Sequence, residues 1–290
     1  GHKMGKRMDF LVFPGGKSKA FTLSYDDGVT QDRRLAELLR KRGLKATFNI
    51  SSGLFGHIQS DLTPDGRSVN VSKLPADALE TVYVGHEIAG HGLFHSNLES
   101  IGTPLAMYEI SEDKRRLEVL TKKPLKVFAY PFGTHNTETE KILTLAGYQG
   151  ARTVNATHSF AIPENFLIWN PTCHHNDSAL MELAQQFLAL PSYSPSLFYV
   201  WGHAYEFDRD DNWQIIETLA DFLSANRNDI WFASNGEILD YVLAYRRLEY
   251  SIDGSLIYNP TALDVNIRTS LFDVQTIPSG RCVSIAQTPL

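Results

Sequence analysis

Cysteine is scarce in this chain: Cys173 and Cys282 are the only two among 290 residues. Two thiols make no disulfide framework, so the fold must rest on buried apolar area, and a reducing, cytoplasmic setting is the expectation. No apolar run approaches the roughly 20 residues that cross a bilayer, so no membrane partner is expected. Blocks of like charge are also missing. With a net charge of −6 and short basic clusters at Arg40–Arg42 and Lys114–Arg116 that read as solvated helix faces, the chain has no general attraction for phosphate backbones, and nucleic acid is excluded as a partner. There is no low-complexity tract. What remains is the composition of a globular protein, 43% hydrophobic and 21% charged, long enough for one large barrel or two ordinary domains. The opening Gly-His-Lys-Met reads as an expression remnant, and a secretory signal could have been removed with it.

From Ala20 onward, short β-type runs alternate with amphipathic helical segments, the pattern of parallel β/α architecture. Eight strands are expected: 20–25, 46–50, 87–90, 127–130, 150–154, 167–171, 197–202 and 230–234. Helices are expected at 32–42, which stops at Gly43, at 137–146, which stops at Gly147, and at 178–188, 213–225 and 236–247. The fold class that follows is α/β, a distorted (β/α) barrel of seven to eight strands. After Leu248 the pattern changes to alternating apolar positions around an Asp253-Gly254 turn, which predicts a small C-terminal antiparallel β appendage packed on one end of the barrel. The expected division is a lead-in over 1–19, the barrel over 20–248 and the appendage over 249–290. Segment 51–77 is long and weakly periodic, as functional walls and lids are.

In a β/α barrel the chemistry collects at the carboxyl ends of the strands. Four of those ends carry polar or glycine-bearing sequences: Asp26-Asp27-Gly28, His91-Gly-Leu-Phe-His95, Tyr130-Pro-Phe132-Gly and Trp201-Gly-His203. A DDG at a strand end is by itself an ordinary turn. His91 and His95, spaced i, i+4, would share one face of a helical turn. Two imidazoles and one carboxylate on one rim leave coordination positions open, the pattern of a catalytic rather than a structural metal.

These segments, SYDDG, HGLFH, FAYPFG and WGH, in this order and at these strand ends, resemble the motifs of the NodB-type polysaccharide deacetylases, carbohydrate esterase family 4, over about residues 20–248. The resemblance implies a divalent metal, usually zinc, held by Asp27, His91 and His95. It implies Asp26 as general base, His203 as the acid that protonates the departing amine, and the backbone N–H of Phe132 as an oxyanion donor. The metal would act as a Lewis acid toward an amide carbonyl and water. The implied reaction is hydrolysis of an N-acyl, most simply acetyl, group on an amino sugar or glycan, with an acetylated carbohydrate as the partner. A small non-sugar C–N bond, an O-acetyl ester, or a silent carbohydrate-binding descendant stand as alternatives. Trp201 takes the place of a leucine that lies against the acetyl methyl group.

Two departures stand out. The third motif has Ala129 where the family carries the arginine that pairs with the catalytic carboxylate, and Arg152, at the end of the next strand, is the candidate replacement. The family's fourth-motif Asp, which buttresses the acid His, has no clear counterpart; Asn170 and Asp177 are candidates, with Asp177 favoured. His174 or His175 is expected to line the substrate cleft along with Tyr130, Phe132 and Trp201, and Glu206, three residues past His203, either to bind substrate there or to orient a neighbour. Cys173-His174-His175 is not expected to bind metal, because three consecutive residues do not easily converge on one ion.

Overall fold

A computed structural model describes residues 7–270 and 273–286; residues 1–6, including the Gly-His-Lys-Met opening, and 287–290 lie outside the described residues. In chain order the strands are β1 (Phe10–Val12), β2 (Lys19–Asp26), β3 (Ala46–Ile50), β4 (Ser60–Leu62), β5 (Ser68–Asn70), β6 (Glu87–Gly90), β7 (Val127–Ala129), β8 (Gly150–Arg152), β9 (Cys173–His174), β10 (Ser196–Gly202), β11 (Ile230–Phe232), β12 (Glu249–Tyr250), β13 (Leu256–Tyr258), β14 (Val265–Arg268), β15 (Val274–Ile277) and β16 (Cys282–Ser284). The helices are α1 (Asp32–Lys41), α2 (Ala78–Thr81), α3 (Thr103–Thr121), α4 (Thr137–Leu145), α5 (Leu180–Ala189), α6 (Tyr205–Arg209), α7 (Gln214–Ala225) and α8 (Asn235–Arg246).

The central sheet is parallel and runs β8-β7-β6-β3-β2-β10-β9. β11 enters beside the first residues of β2, pairing Phe232 with Phe21, while β3 takes the later residues on that strand, pairing Asn49 with Asp26. The expected distorted barrel is therefore present, but one stave is irregular. Residues 167–171 do not form a strand: Phe166–Ile168 is a 3₁₀ turn and only Trp169 bridges to Arg152. The segment still spans the gap. Trp169 exchanges backbone bonds with Ala151 and Thr153, and Thr172 and His175 donate to Tyr199 and Trp201 of β10. Pro171 lacks the donor a regular ladder needs there.

Strand alternation separates two environments. On β2, Phe21, Leu23 and Tyr25 face outward into the layer of helices, where they pack with residues such as Leu35, Leu39, Phe198 and Ile216. Ala20, Thr22, Ser24 and Asp26 occupy the alternate, inward positions, and there the interior carries a polar column. Asn235 at the start of α8 donates to Thr22, and Asn49 donates to Ser24 and to Asp26. α8 closes the other end with Ile238, Leu239 and Val242.

The expected appendage consists of two small antiparallel sheets, β12-β13-β16 and β1-β14-β15. The second uses β1, so part of the lead-in is a strand of the C-terminal unit, with Leu11 opposite Ile267. Ile257, Val265, Ile267 and Ile277 are buried with Leu11, Phe13 and α8. Segment 51–77 carries the β4–β5 hairpin and is tied to the turn after β2 by Leu74 N–H to Gly28 O and Thr30 N–H to Ser72 O. Among the described residues no helix is long and apolar enough to cross a membrane.

Candidate metal centre and its surroundings

β2 ends with both carboxylates facing one site because the chain turns at Asp27 itself, which has φ 83°, before Gly28 at φ 60°. The sequence assigns that turn to the glycine; the structure begins it one residue earlier, in a left-handed conformation that aspartate tolerates better than most residues. His95 (φ 58°) and Phe132 (φ 61°) share this sparsely populated region, and such strain at three rim positions marks a functional site.

His91 and His95 do not lie on a helical turn. They flank a loop in which Gly92 has φ 80°. The loop is held by α3: Glu109 accepts the N–H groups of Phe94 and Ser96, and its carbonyl accepts that of Leu93. Asp113, one turn on, accepts the backbone N–H of His91 on one oxygen and both donors of Ser52 on the other. The imidazoles still meet, with ring centroids 4.6 Å apart.

Asp27 Oδ1 stands 3.2 Å from His91 Nε2 and 3.5 Å from His95 Nε2. The three potential ligand atoms lie within 4.8 Å of one another. Neither Asp27 Oδ1 nor His91 Nε2, both buried, makes a hydrogen bond. His91 Nδ1 donates to the Ala129 carbonyl at 2.7 Å, so the neutral ring keeps its proton there and offers its Nε2 lone pair to a cation. Burial pushes His95 down to about 4, so its imidazole is neutral near neutrality. Two orphaned atoms, a fixed tautomer and a His₂Asp donor set fit a divalent cation.

Asp26 is buried beside this cluster. Its two oxygens receive Nη1 and Nη2 of Arg152 at 2.7 Å each, and Asn49 adds a third donor at 2.9 Å. Arg152 is 1% exposed, bonds Ser24, and lies with its guanidinium 4.6 Å from the Trp201 ring centroid. Burial favours the neutral acid, yet Arg152, His91 and His203 hold the carboxyl at about 2. The replacement arginine expected from sequence therefore lies on the carboxylate.

His203 Nε2 points into the same space, 3.9 Å from Asp26 Oδ2 and 3.7 Å from Asp27 Oδ2. Neither sequence candidate is its partner. Asp177 bonds His158 at 2.6 Å and Asn170 bonds Thr153. The contact is made by Glu206, whose Oε1 accepts the His203 backbone N–H at 2.6 Å and lies 3.3 Å from Nδ1.

Glu206 is buried and Oε1 is occupied by histidines, so it does not face substrate as expected. Tyr130 is likewise removed from the cleft, fully buried with its hydroxyl on the Leu167 carbonyl at 2.7 Å. Phe132 is 61% exposed and its ring stands 4.6 Å from His95. Trp201 is half-buried with His174 against it at 4.8 Å. Sequence reading missed Glu109, Asp113 and Phe94. Phe94, 52% exposed, sits inside the HGLFH loop; its position between the two histidines was the available signal.

Residues 13–151 match the family model described as polysaccharide deacetylase. A search of curated proteins finds no match. Among solved structures, a Mycobacterium smegmatis protein provisionally assigned to the polysaccharide deacetylases shares 15% identity at TM-score 0.57, over 82% of this chain and 94% of its own. The Xyl-CE4 domain of a multidomain xylanase from the hindgut metagenome of Trinervitermes trinervoides shares 15% identity at TM-score 0.50, over 81% and 96%. A Streptococcus pyogenes deacetylase, PplD, solved with acetate, shares 23% identity at TM-score 0.43, over 51% of this chain, which spans 61% of that protein. At these identities the likeness is one of fold.

Proposed function

We propose, from the match of residues 13–151 to the polysaccharide deacetylase family model, that the chain is a metal-dependent hydrolase that removes an acetyl group from the nitrogen of an amino sugar or glycan. The observation that carries this reading is the convergence of Asp27 Oδ1, His91 Nε2 and His95 Nε2 with the unligated Asp26 and His203 on the same space.

Asp27, His91 and His95 would hold a divalent cation, zinc in this proposal, which when bound supplies Lewis acidity to the acyl carbonyl and to water. Asp26, ionised near neutrality, takes the proton of the attacking water, and its pairing with Arg152 fixes which lone pairs face that water. His203 Nε2 gives its proton to the departing amine, which leaves poorly as an anion. A positive charge suits that role: burial opposes it, but Glu206, Asp27 and Asp26 raise His203 to about 9. Trp201 and the exposed Phe132 ring border the site and would contact the acetyl group and sugar. Arg152 serves the chemistry through Asp26 rather than by touching substrate.

The test is acetate release from chitooligosaccharides by protein stripped with a chelator and then reloaded with zinc. Release that follows the metal is the expected result. One bound equivalent of zinc without turnover of any N-acetylated or O-acetylated sugar would instead point to a silent binding protein.

A further inference from the structure

Beside the proposed metal triad, three imidazoles and a backbone N–H converge on a single oxygen, Glu206 Oε1. His174 Nε2 is 3.0 Å away, His175 Nε2 3.3 Å and His203 Nδ1 3.3 Å, and the His203 N–H donates at 2.6 Å. His175 is fully buried, and its Nε2 faces Glu206 without a hydrogen bond. On composition alone, His174, His175 and Glu206 could be a second cation site, since their ligand atoms cluster as closely as those of the first.

The proton positions separate these possibilities. His174 Nδ1 accepts the Asn176 backbone N–H at 3.0 Å, so the neutral ring keeps its proton on Nε2, where it donates to Glu206 and offers no lone pair to a cation. His91 in the first cluster has the opposite arrangement, with its Nδ1 against a carbonyl. His175 is wedged rather than free to adjust. It stacks on Tyr25 and Phe207, with centroids at 5.6 and 4.2 Å, and its Nδ1 lies 3.1 Å from the Tyr25 hydroxyl. A Cβ on Gly202 would fall 2.2 Å from His175 Nδ1, so β10 passes this ring only because residue 202 has no side chain.

We propose that Glu206 is the positioning residue of His203: its carboxylate accepts Nδ1–H and the backbone N–H, fixing the tautomer and ring angle that aim Nε2 at Asp26 and Asp27, while His174 donates to the same oxygen and holds the carboxylate in place. A residue three places after the histidine thus performs the buttressing that the sequence sought in the segment around Trp169. One acceptor oxygen fixes both ends of the His203-Ala-Tyr-Glu206 turn, and Arg209, with Nη2 3.7 Å from Oε2, faces the other oxygen. The inference rests on His203 being the proton donor to the leaving group, and the experiment separates the two claims.

Zinc-loaded wild-type protein and the Glu206→Gln and Glu206→Asp variants are compared by ¹⁵N NMR of the histidine rings and by kcat and KM for chitooligosaccharide and for 4-nitrophenyl acetate, whose leaving group needs no proton. His203 should show a protonated, slowly exchanging Nδ1 in the wild type that is lost in Glu206→Gln and partly restored in Glu206→Asp. For Glu206→Gln, kcat on the amide should fall by about a hundredfold with KM nearly unchanged, while ester cleavage falls only a few-fold. An unprotonated His203 Nδ1 in the wild type, or a Glu206→Gln variant with the wild-type ring signals, overturns the proposal. So does a second equivalent of zinc lost on His174→Ala. If His203→Ala loses amide and ester activity equally, the donor assignment for His203 fails instead, whatever Glu206 does to the ring.

Discussion

Arg152 and Asp26 meet through two parallel 2.7 Å hydrogen bonds although 126 residues separate them in the chain. Each is almost wholly buried, so each is tolerable only because the other is there. The pairing also has a sign in pH. Asp26 is held at about 2, below its ordinary 3.8, so the stability it contributes is present above the ordinary value and is lost as pH falls through about 2; the scale is about 2 kcal/mol.

Replacing Arg152 by Met should leave a buried carboxylate without its cation. Stability should fall by about 3–5 kcal/mol, and the acid limb of the pH–rate profile should move upward as the Asp26 pKa rises. Arg152→Lys should recover part of the stability but little of the activity, because an ammonium cannot reproduce the two-pronged geometry. Urea denaturation and pH–rate measurements check both; an unchanged profile in Arg152→Met would contradict the pairing.

Asp26→Asn should keep one equivalent of zinc while losing most activity. His91→Ala should lose the zinc itself. Metal analysis after gel filtration, set beside acetate release, distinguishes the two variants, and equal retention of activity in both would refute the roles given to them.

Removing the Asp113 carboxylate should act on the metal from a distance. Asp113→Ala leaves the His91 N–H and both Ser52 donors without an acceptor, at a cost of about 1–3 kcal/mol. It should also weaken zinc binding by about 10–100-fold, because the backbone under His91 is no longer fixed. Competition with a chromogenic zinc chelator reads this directly. Zinc affinity equal to that of the wild type would show that α3 supports only the fold.

His86 gives a second pH dependence, away from the candidate metal centre. Its Nδ1 accepts Ala46 N–H at 3.0 Å and its Nε2 bonds Ala36 O at 2.9 Å, a set that suits only the neutral ring. Burial, with Arg40 and Lys45 nearby, lowers it from 6.5 to about 4. The unfolded chain therefore binds the extra proton between those values, so stability is full above about 6.5 and declines as pH falls toward 4, by up to about 3 kcal/mol. Urea midpoints from pH 7.5 to 4.5 should fall less steeply in His86→Asn than in the wild type.

The parallel strands were legible because each combines a β-branched or aromatic run with a polar or glycine end, and β3 and β6 fall where the pattern puts them. The 167–171 stave failed because Pro171 and the Trp169 bridge give one contact rather than a ladder. α3, the longest helix among the described residues, shows in the sequence only as the helix face at Lys114–Arg116, for a different reason. Its buried face runs Ala106, Glu109, Ile110, Asp113 and Leu117, and two carboxylates in that stripe erase the apolar period that betrays a helix. The same two acids hold the His91–His95 loop, so the helix whose bounds the pattern did not reveal is one that builds the site.

By itself the sequence determined the alternating β/α order, the identity of the ionisable groups and their placement at strand ends, since these depend on local periodicity and on residue type. The Arg152–Asp26 pairing was a candidate from sequence, but only the tertiary structure decided the other partners: Glu206 on His203, Asp113 under His91, and Asp177 turned away to His158. Such partnerships are set by the curvature of the sheet and by side-chain reach across strands distant in the chain, and no spacing along the chain encodes either.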